Sequence, residues 1–318
     1  MRRPRIVLVG AGHMGRHHAA KLAGLRDAGD IEFVGIADRV LERARRLAAE
    51  SCTAAAAAGW ELFGECDAAI VAVPTVEHFA VVREALAADL DVLVEKPIAA
   101  DELQAERLLE QARAGGRVLQ VGSQEWYNPA LRAIHPKIQR PLLIESHRVG
   151  PFSERGVDVD VVRDLMIHDI DIVQKLLGEE PARIEATGVP VVTDNVDMAN
   201  ARIEFPGGCV ANLTANRVSV RPQRSLRIFQ RDGHLAIDFL NQRATIFRRV
   251  EVRRGEAPRV EKEVLSIRPE DPLISQLRAF VVAIGGRDGS ASGGDDALAA
   301  LRTALRVVDA MPRVRDLT

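Results

Sequence analysis

The chain of 318 residues is 47% hydrophobic and 28% charged, an ordinary soluble globular composition at a length that exceeds one usual domain. Its formal net charge of −2 supplies no global excess of cation for neutralising phosphates, which argues against a nucleic-acid binder. Three widely separated cysteines, Cys52, Cys66 and Cys209, offer neither a disulfide framework nor metal-ligand spacing and fit a reducing cytoplasm. The basic start imitates a signal peptide, but the apolar run after it is too short, and no segment reaches membrane-spanning length.

In chain order, Arg5–Val9 predicts a short strand that runs into Gly10-Ala11-Gly12-His13-Met14-Gly15 and then a helix over Arg16–Leu25. Strand, glycine-rich turn and helix opening make the dinucleotide-binding fingerprint. The glycines permit a tight turn, close approach to a pyrophosphate and close packing of helix on strand, while free N–H groups at the helix start face the phosphates. His13 and Met14 of the same turn join Gly10, Gly12 and Gly15 as expected cofactor contacts. Ile31–Ala37 predicts a second strand ending at Asp38, whose carboxylate can accept both ribose hydroxyls of NAD; a turn or helix-capping role is the competing reading. A 2′-phosphate would meet that carboxylate, so NAD is expected over NADP, although the adjacent Arg39 could pair with such a phosphate.

Val40–Glu50 predicts an amphipathic helix, and the alanine tract Ala54–Ala58 carries no clear function. Asp67–Val73 reads as a buried parallel strand, followed by Pro74-Thr75 and a helix over His78–Ala88. Asp91–Val94 is the next strand and ends at Glu95-Lys96-Pro97; Asp101 caps a helix to Ala114, and Arg117–Val121 follows as a strand. This alternation implies an α/β Rossmann domain with a doubly wound parallel sheet over residues 1–122. Residues 123–318 change pattern, with strands expected over Leu142–Val149, Ala182–Val192, Ala199–Phe205, Val210–Val218, Ser225–Gln230, His234–Asp238 and Arg243–Val252. Short turns between them imply an α+β domain with a large antiparallel sheet, closed by helices over Leu273–Ile284 and Asp295–Ala310 that can pack back on the first domain.

Ligands of open parallel sheets sit beyond the carboxyl ends of the strands. Three such ends carry polar residues: Pro74-Thr75, Glu95-Lys96-Pro97 and Ser123-Gln124-Glu125. Lys96, between an acid and a proline, is placed to meet a ligand; a solvated lysine paired with Glu95 is the alternative. In the helical stretch 164–173, spacings of four and three put Asp164, His168 and Asp171 on one side. A histidine with a reference pKa of ~6.5 exchanges protons at neutral pH, and a neighbouring carboxylate orients it. A helix cap with structural salt bridges is the competing reading, and no cysteine or further histidine falls at a spacing that suggests a metal. His17 and His18 diverge around their helix, so packing or solvent contact is expected of them rather than catalysis.

Taken in order, Gly10–Gly15 with Met14 and His18, Val73-Pro74-Thr75 with His78, Glu95-Lys96-Pro97, and Asp164 with His168 and Asp171 resemble the Gfo/Idh/MocA oxidoreductases over nearly the whole chain. The resemblance implies a nicotinamide-binding Rossmann domain joined to an antiparallel-sheet substrate domain. It also implies that Lys96, Asp164 and His168 flank the reacting carbinol, and that Val73, Pro74, Thr75, His78, Glu95, Lys96 and Gln124 contact the cofactor. Within the family the chain is most similar to bacterial enzymes that oxidise C3 of UDP-N-acetylglucosamine ahead of its amination in lipid A synthesis. Gly150-Pro151-Phe152, residues 164–171, Asn200–Phe205, Asn212–Arg217 and Arg227–Gln230 carry that similarity. It implies a nucleotide-sugar substrate, a downstream aminotransferase and a homodimer or homotetramer formed through the open face of the second sheet. Glu125, Tyr127, Asn128, Arg148, Arg155 and Arg217 become candidate substrate contacts, the arginines being suited to a diphosphate and each equally open to a structural ion pair. Trp126 stands where many relatives carry a cation. An inositol or free-sugar dehydrogenase and a non-catalytic dinucleotide-binding regulator are the competing functions.

Overall fold

A computed structural model describes residues 2–53, 55–153, 159–250, 257, 259–286 and 293–312. The chain divides into two compact units, Met1–Gln124 with Leu273–Leu298 and Glu125–Pro272 with Ala299–Thr318. The C-terminal stretch is therefore shared between them, with the division falling inside the last helix.

The first unit alternates strand and helix: β1 (Arg5–Val9), α1 (His13–Asp27), β2 (Glu32–Ala37), α2 (Leu41–Glu50), β3 (Ala55–Ala57), β4 (Ala68–Val71), α3 (Thr75–Ala87), β5 (Asp91–Val94), α4 (Glu102–Gly115) and β6 (Leu119–Val121). The strands form one parallel sheet in the order β3-β2-β1-β4-β5-β6. Every residue of β4 and β5 is buried, as the continuous apolar runs required of a sheet covered on both faces. The alanine tract supplies the edge strand β3, paired with β2, and the Asp38 N–H continues that ladder to the Ala57 carbonyl. Alanine has low strand propensity, and pairing with β2 recruits it here, with Ala56 packed on the core and Ala57 buried. Asp101 caps α4 by accepting from the Gln104 N–H, as its position predicted. Ile6, Leu8, Leu22, Ile36, Ile70 and Leu93 share a core with Leu277, Phe280 and Ala283.

The second unit contains α5 (Pro129–Ile134), β7 (Leu143–Val149), α6 (Ile167–Leu177), β8 (Arg183–Val189), β9 (Met198–Glu204), β10 (Val210–Asn216), β11 (Gln223–Gln230), β12 (Gly233–Asp238), β13 (Arg243–Val250) and β14 (Arg259–Val264). Two helices follow, α7 (Pro272–Gly286), which belongs to the first unit, and α8 (Gly294–Asp309). The eight strands run β14-β13-β12-β11-β7-β10-β9-β8. The sheet is antiparallel except at one place: β7 and β10 are parallel neighbours. The chain leaves β7 through α6 to the far edge and returns by the β8-β9-β10 meander, which brings β10 beside β7 in the same direction. The edge strand β14 escaped the sequence reading because all its side chains are exposed and its Arg-Val-Glu-Lys-Glu-Val run lacks a buried face. The inner face, with Ile144, Leu213, Leu226 and Ile228, packs with Met166, Ile170 and Val173, and with Ala300, Ala304 and Val307 of α8. Among the described residues no helix is long and apolar enough to cross a membrane.

Candidate active site

In the first unit the cofactor turn is shaped by what it excludes. Gly10 has φ +106, and a Cβ there would stand 2.5 Å from the Ala72 carbonyl oxygen; on Gly15 it would stand 2.0 Å from the Gly10 carbonyl oxygen. A Cβ on Gly12 would meet no atom within 4 Å, so the turn is tight beneath and open above. Asp38 accepts from the Ala11 N–H at 2.8 Å through Oδ2 and from the Val40 N–H at 2.8 Å through Oδ1. Each oxygen has a second lone pair, so the carboxylate shapes the turn and still has acceptors for ribose hydroxyls. Arg39, the residue available to a 2′-phosphate, is exposed and paired with Glu77 on α3. His13 is exposed and stacks edge-on with His17, while the half-buried Met14 packs on the core. The open turn, the helix start and the Asp38 carboxylate together fit a dinucleotide.

The ends of β4 and β5 meet buried histidines. Val73-Pro74-Thr75 leads from β4 into α3, and His78 on that helix puts Nε2 3.0 Å from the Val73 carbonyl oxygen and Nδ1 2.7 Å from that of Pro97. Burial pushes the His78 pKa below its usual value, against opposing contributions from those carbonyls, Glu95 and Glu77. Glu95 is buried beside His18, Nε2 to Oε1 2.6 Å, and Lys96 is half-buried in the bend that follows β5.

In the second unit Asp164 lies in a π-helical turn, Val162–Met166, that leads into α6, where His168 is the second residue. Both are half-buried. The helix expected over 164–173 is thus irregular at its start, and the wider turn changes the angular relation that four-residue α spacing would give Asp164 and His168. Asp160, missed in the sequence, holds this turn: Oδ1 accepts from the N–H groups of Val162 and Arg163 at 3.0 and 2.9 Å, and Oδ2 pairs with Arg163 Nε at 2.6 Å. An aspartate just ahead of an apolar run is the cap signal that could have found it. Asp171 pairs with Lys175, whose ammonium lies 5.5 Å from the centre of the Trp126 ring, so a cation stands against that tryptophan.

Several candidate substrate contacts are engaged within this unit. Arg148 is buried, bidentate on Asp169 at 3.0 and 2.8 Å and bonded to Glu125 at 2.8 Å. Glu125 also meets Arg224 at 3.3 Å. Asn128 caps α5, accepting from the Ala130 N–H and donating to the Phe239 carbonyl. Arg217 is buried, donates to the Val159 carbonyl and faces Asp197 at 3.7 Å. Tyr127 is half-buried in the 3₁₀ turn Gln124–Tyr127, and burial raises its phenol pKa. Arg155 lies outside the described residues. Buried Cys66 and Cys209 are pushed up by burial to about 12 and about 11, so neither presents a thiolate at neutral pH.

Residues 4–123 match the model of an oxidoreductase family with an NAD-binding Rossmann fold, Gfo/Idh/MocA, and residues 139–236 match that family's C-terminal domain. The chain belongs to the Gfo/Idh/MocA oxidoreductases. Among Gfo/Idh/MocA relatives, it is 36% identical over 281 residues, 88% of each chain, to UDP-N-acetylglucosamine 3-dehydrogenase of Acidithiobacillus ferrooxidans. A solved structure of that dehydrogenase superposes with a TM-score of 0.91 at 35% identity, covering 98% of both chains. Inositol 2-dehydrogenase of Rhizobium meliloti is 25% identical over 99% of this chain and 98% of its own. The chain is accordingly an NAD(P)-binding oxidoreductase.

Proposed function

We propose that this enzyme oxidises a secondary alcohol of a nucleotide-sugar, C3 of a UDP-N-acetylhexosamine such as UDP-N-acetylglucosamine, with NAD. The observation that carries the reading is the 36% identity to a dehydrogenase of that specificity, spread over 88% of both chains. The inositol dehydrogenase, at 25%, is the more distant relative. NAD, held at Gly10–Gly15 and by Asp38, supplies when bound a nicotinamide C4 that accepts hydride. His168, oriented by Asp164, takes the hydroxyl proton of the carbinol; Lys96 hydrogen-bonds the same oxygen and steadies its developing charge. A lysine with a reference pKa of ~10.4 suits that second role better than the role of base. Proton removal of this kind contributes roughly 10²- to 10⁴-fold, and alignment with the cofactor most of the remainder.

Arg148, Asn128, Glu125 and Arg217 serve this reading by holding the framework, which leaves Tyr127 and Arg155 as the contact candidates. The ketone formed at C3 is the substrate an aminotransferase needs, and the reading adds lipid A or surface polysaccharide synthesis as the setting, the cytoplasm as the compartment and a homodimer or homotetramer as the assembly. NADH formation measured with UDP-N-acetylglucosamine, its uronic acid and myo-inositol side by side, coupled to an aminotransferase to draw off ketone, tests the substrate. Turnover is expected with the nucleotide-sugar; turnover with myo-inositol and silence with the nucleotide-sugars would reverse the assignment. His168→Ala is expected to keep NAD binding and lower turnover by roughly 10²- to 10⁴-fold. Unchanged turnover would refute the role of base.

A further inference from the structure

Lys96 is flanked in the chain by two residues that are each held by a buried histidine from a different helix. On one side, His18 of α1 is fully buried, and its Nε2 lies 2.6 Å from Glu95 Oε1. Nδ1 of that ring is buried with no hydrogen-bond partner among the described residues, so the one proton of a neutral imidazole is best placed on Nε2, facing Glu95. The other oxygen of Glu95 is boxed in by Gly122, where a Cβ would stand 2.9 Å from Oε2. The Glu95 N–H meanwhile continues the sheet to the Val71 carbonyl at 2.9 Å. On the other side, His78 of α3 reaches the Pro97 carbonyl with Nδ1 and the Val73 carbonyl with Nε2. A neutral ring donates once, and the shorter 2.7 Å contact, at Nδ1 to Pro97, is the better place for that proton.

We infer that His18 and His78 are positioning residues that brace Lys96 from both sides. His18 does so from the helix whose N-terminus forms the cofactor turn, so the turn and the lysine bend move as one body. The inference rests on Lys96 acting at the reacting oxygen, as proposed above. The family resemblance counts His78 among the cofactor contacts, but its ring is buried at 1% exposure with both nitrogens on backbone carbonyls, so it acts, like His18, without touching substrate or cofactor; each histidine fixes a neighbour of Lys96 and so limits where the ammonium can stand. Misplacing such a group by about 1 Å costs on the order of 10²-fold in rate.

The shapes of amide side chains make the two braces separable. A glutamine amide reaches the place of a histidine Nε2, and an asparagine amide the place of Nδ1. His18→Gln keeps a donor toward Glu95, whereas His18→Leu removes it. His78→Asn keeps the donor toward Pro97, whereas His78→Gln loses it and sets its amide toward the Val73 carbonyl instead. With NAD and UDP-N-acetylglucosamine, His18→Leu and His78→Gln are expected to lower kcat by at least about 10-fold, with the Kd for NAD within threefold of wild type. His18→Gln and His78→Asn should stay close to wild type.

A second readout needs no substrate. The chain has five lysines, so reductive methylation with ¹³C-formaldehyde gives few NMR signals, and Lys96→Arg identifies the one from Lys96. That signal should move in His18→Leu and His78→Gln, with those of Lys137, Lys175 and Lys262 unmoved. Folded variants in which both kcat and the Lys96 signal match wild type would overturn the inference, as would equal losses in His78→Asn and His78→Gln. A Lys96 signal that moves while Lys96→Met keeps full turnover would leave the brace standing and remove Lys96 from the mechanism.

Discussion

A guanidinium enclosed with two carboxylates, as Arg148 is with Asp169 and Glu125, keeps its place by charge as well as by packing. Burial pulls its pKa down, and the carboxylates of Asp169 and Glu125 more than reverse that, so it stays charged. Arg148→Met leaves both carboxylates buried without their cation and should cost about 3–5 kcal/mol, read as a lower urea midpoint. Because Asp169 adjoins His168, the same variant should lower turnover; an unaltered midpoint would show the triad to be dispensable. Asp197 is a second charged residue held in place by its partners. Burial raises its pKa, but the N–H groups of Thr193, Val192 and Val191 and the Thr193 hydroxyl outweigh this and hold it at about 2. An unfolded aspartate titrates near ~3.9, so the folded pKa is the lower one, and the stabilisation is complete above about pH 5 and fades toward pH 2. The stability gap between wild type and Asp197→Asn should therefore shrink by about 2 kcal/mol over that window. Denaturant titrations at neutral pH and near pH 2 would measure it, and a constant gap would contradict the assignment.

The turn between β1 and α1 separates two uses of glycine that sequence treats alike. Gly15→Ala drives a methyl to 2.0 Å from the Gly10 carbonyl oxygen, so helix and strand must part; a sharp fall in melting temperature is expected. Gly12→Ala meets no atom within 4 Å, so the fold should persist while NAD affinity drops, because the methyl occupies space a pyrophosphate needs. Circular dichroism with an NAD titration on both variants distinguishes these outcomes, and equal melting temperatures would contradict the first. The π-helical turn that carries Asp164 is the corresponding element of the second unit. Asp160 caps it from just ahead, and the Arg217 bond to the Val159 carbonyl secures the chain before that.

Each unit has its own core, one built around the parallel sheet with α7, the other around the eight-stranded sheet with α6 and the later part of α8. A ligand that binds only the folded chain stabilises it by mass action, so NAD at about a hundredfold excess over its Kd should add about 2.7 kcal/mol to the unfolding free energy. NADP at equal concentration should add less, because its 2′-phosphate meets Asp38 while Arg39 is paired with Glu77. A larger thermal shift with NADP would reverse the cofactor preference.

The glycine turn, the parallel, doubly wound character of the first sheet and the Asp101 cap were all legible in the sequence, because each depends on contacts within a few residues or on a continuous apolar run. The alanine strand β3 and the exposed strand β14 were not, since neither carries a strand-like side-chain pattern and both are recruited by pairing with a partner strand. The parallel pairing of β7 with β10 likewise depends on where a long connection returns. The site divides in the same way. Sequence spacing singled out Lys96, Asp164 and His168 as chemical groups, but the residues that hold their surroundings lie far away in the chain: His18 is 77 positions from Glu95, and Arg148 is 21 from Asp169. Sequence by itself determined which side chains have the chemistry to hold or move a proton. Only the tertiary structure decided which buried charges keep them in place, because a buried ion is tolerated only where folding brings its partner to it.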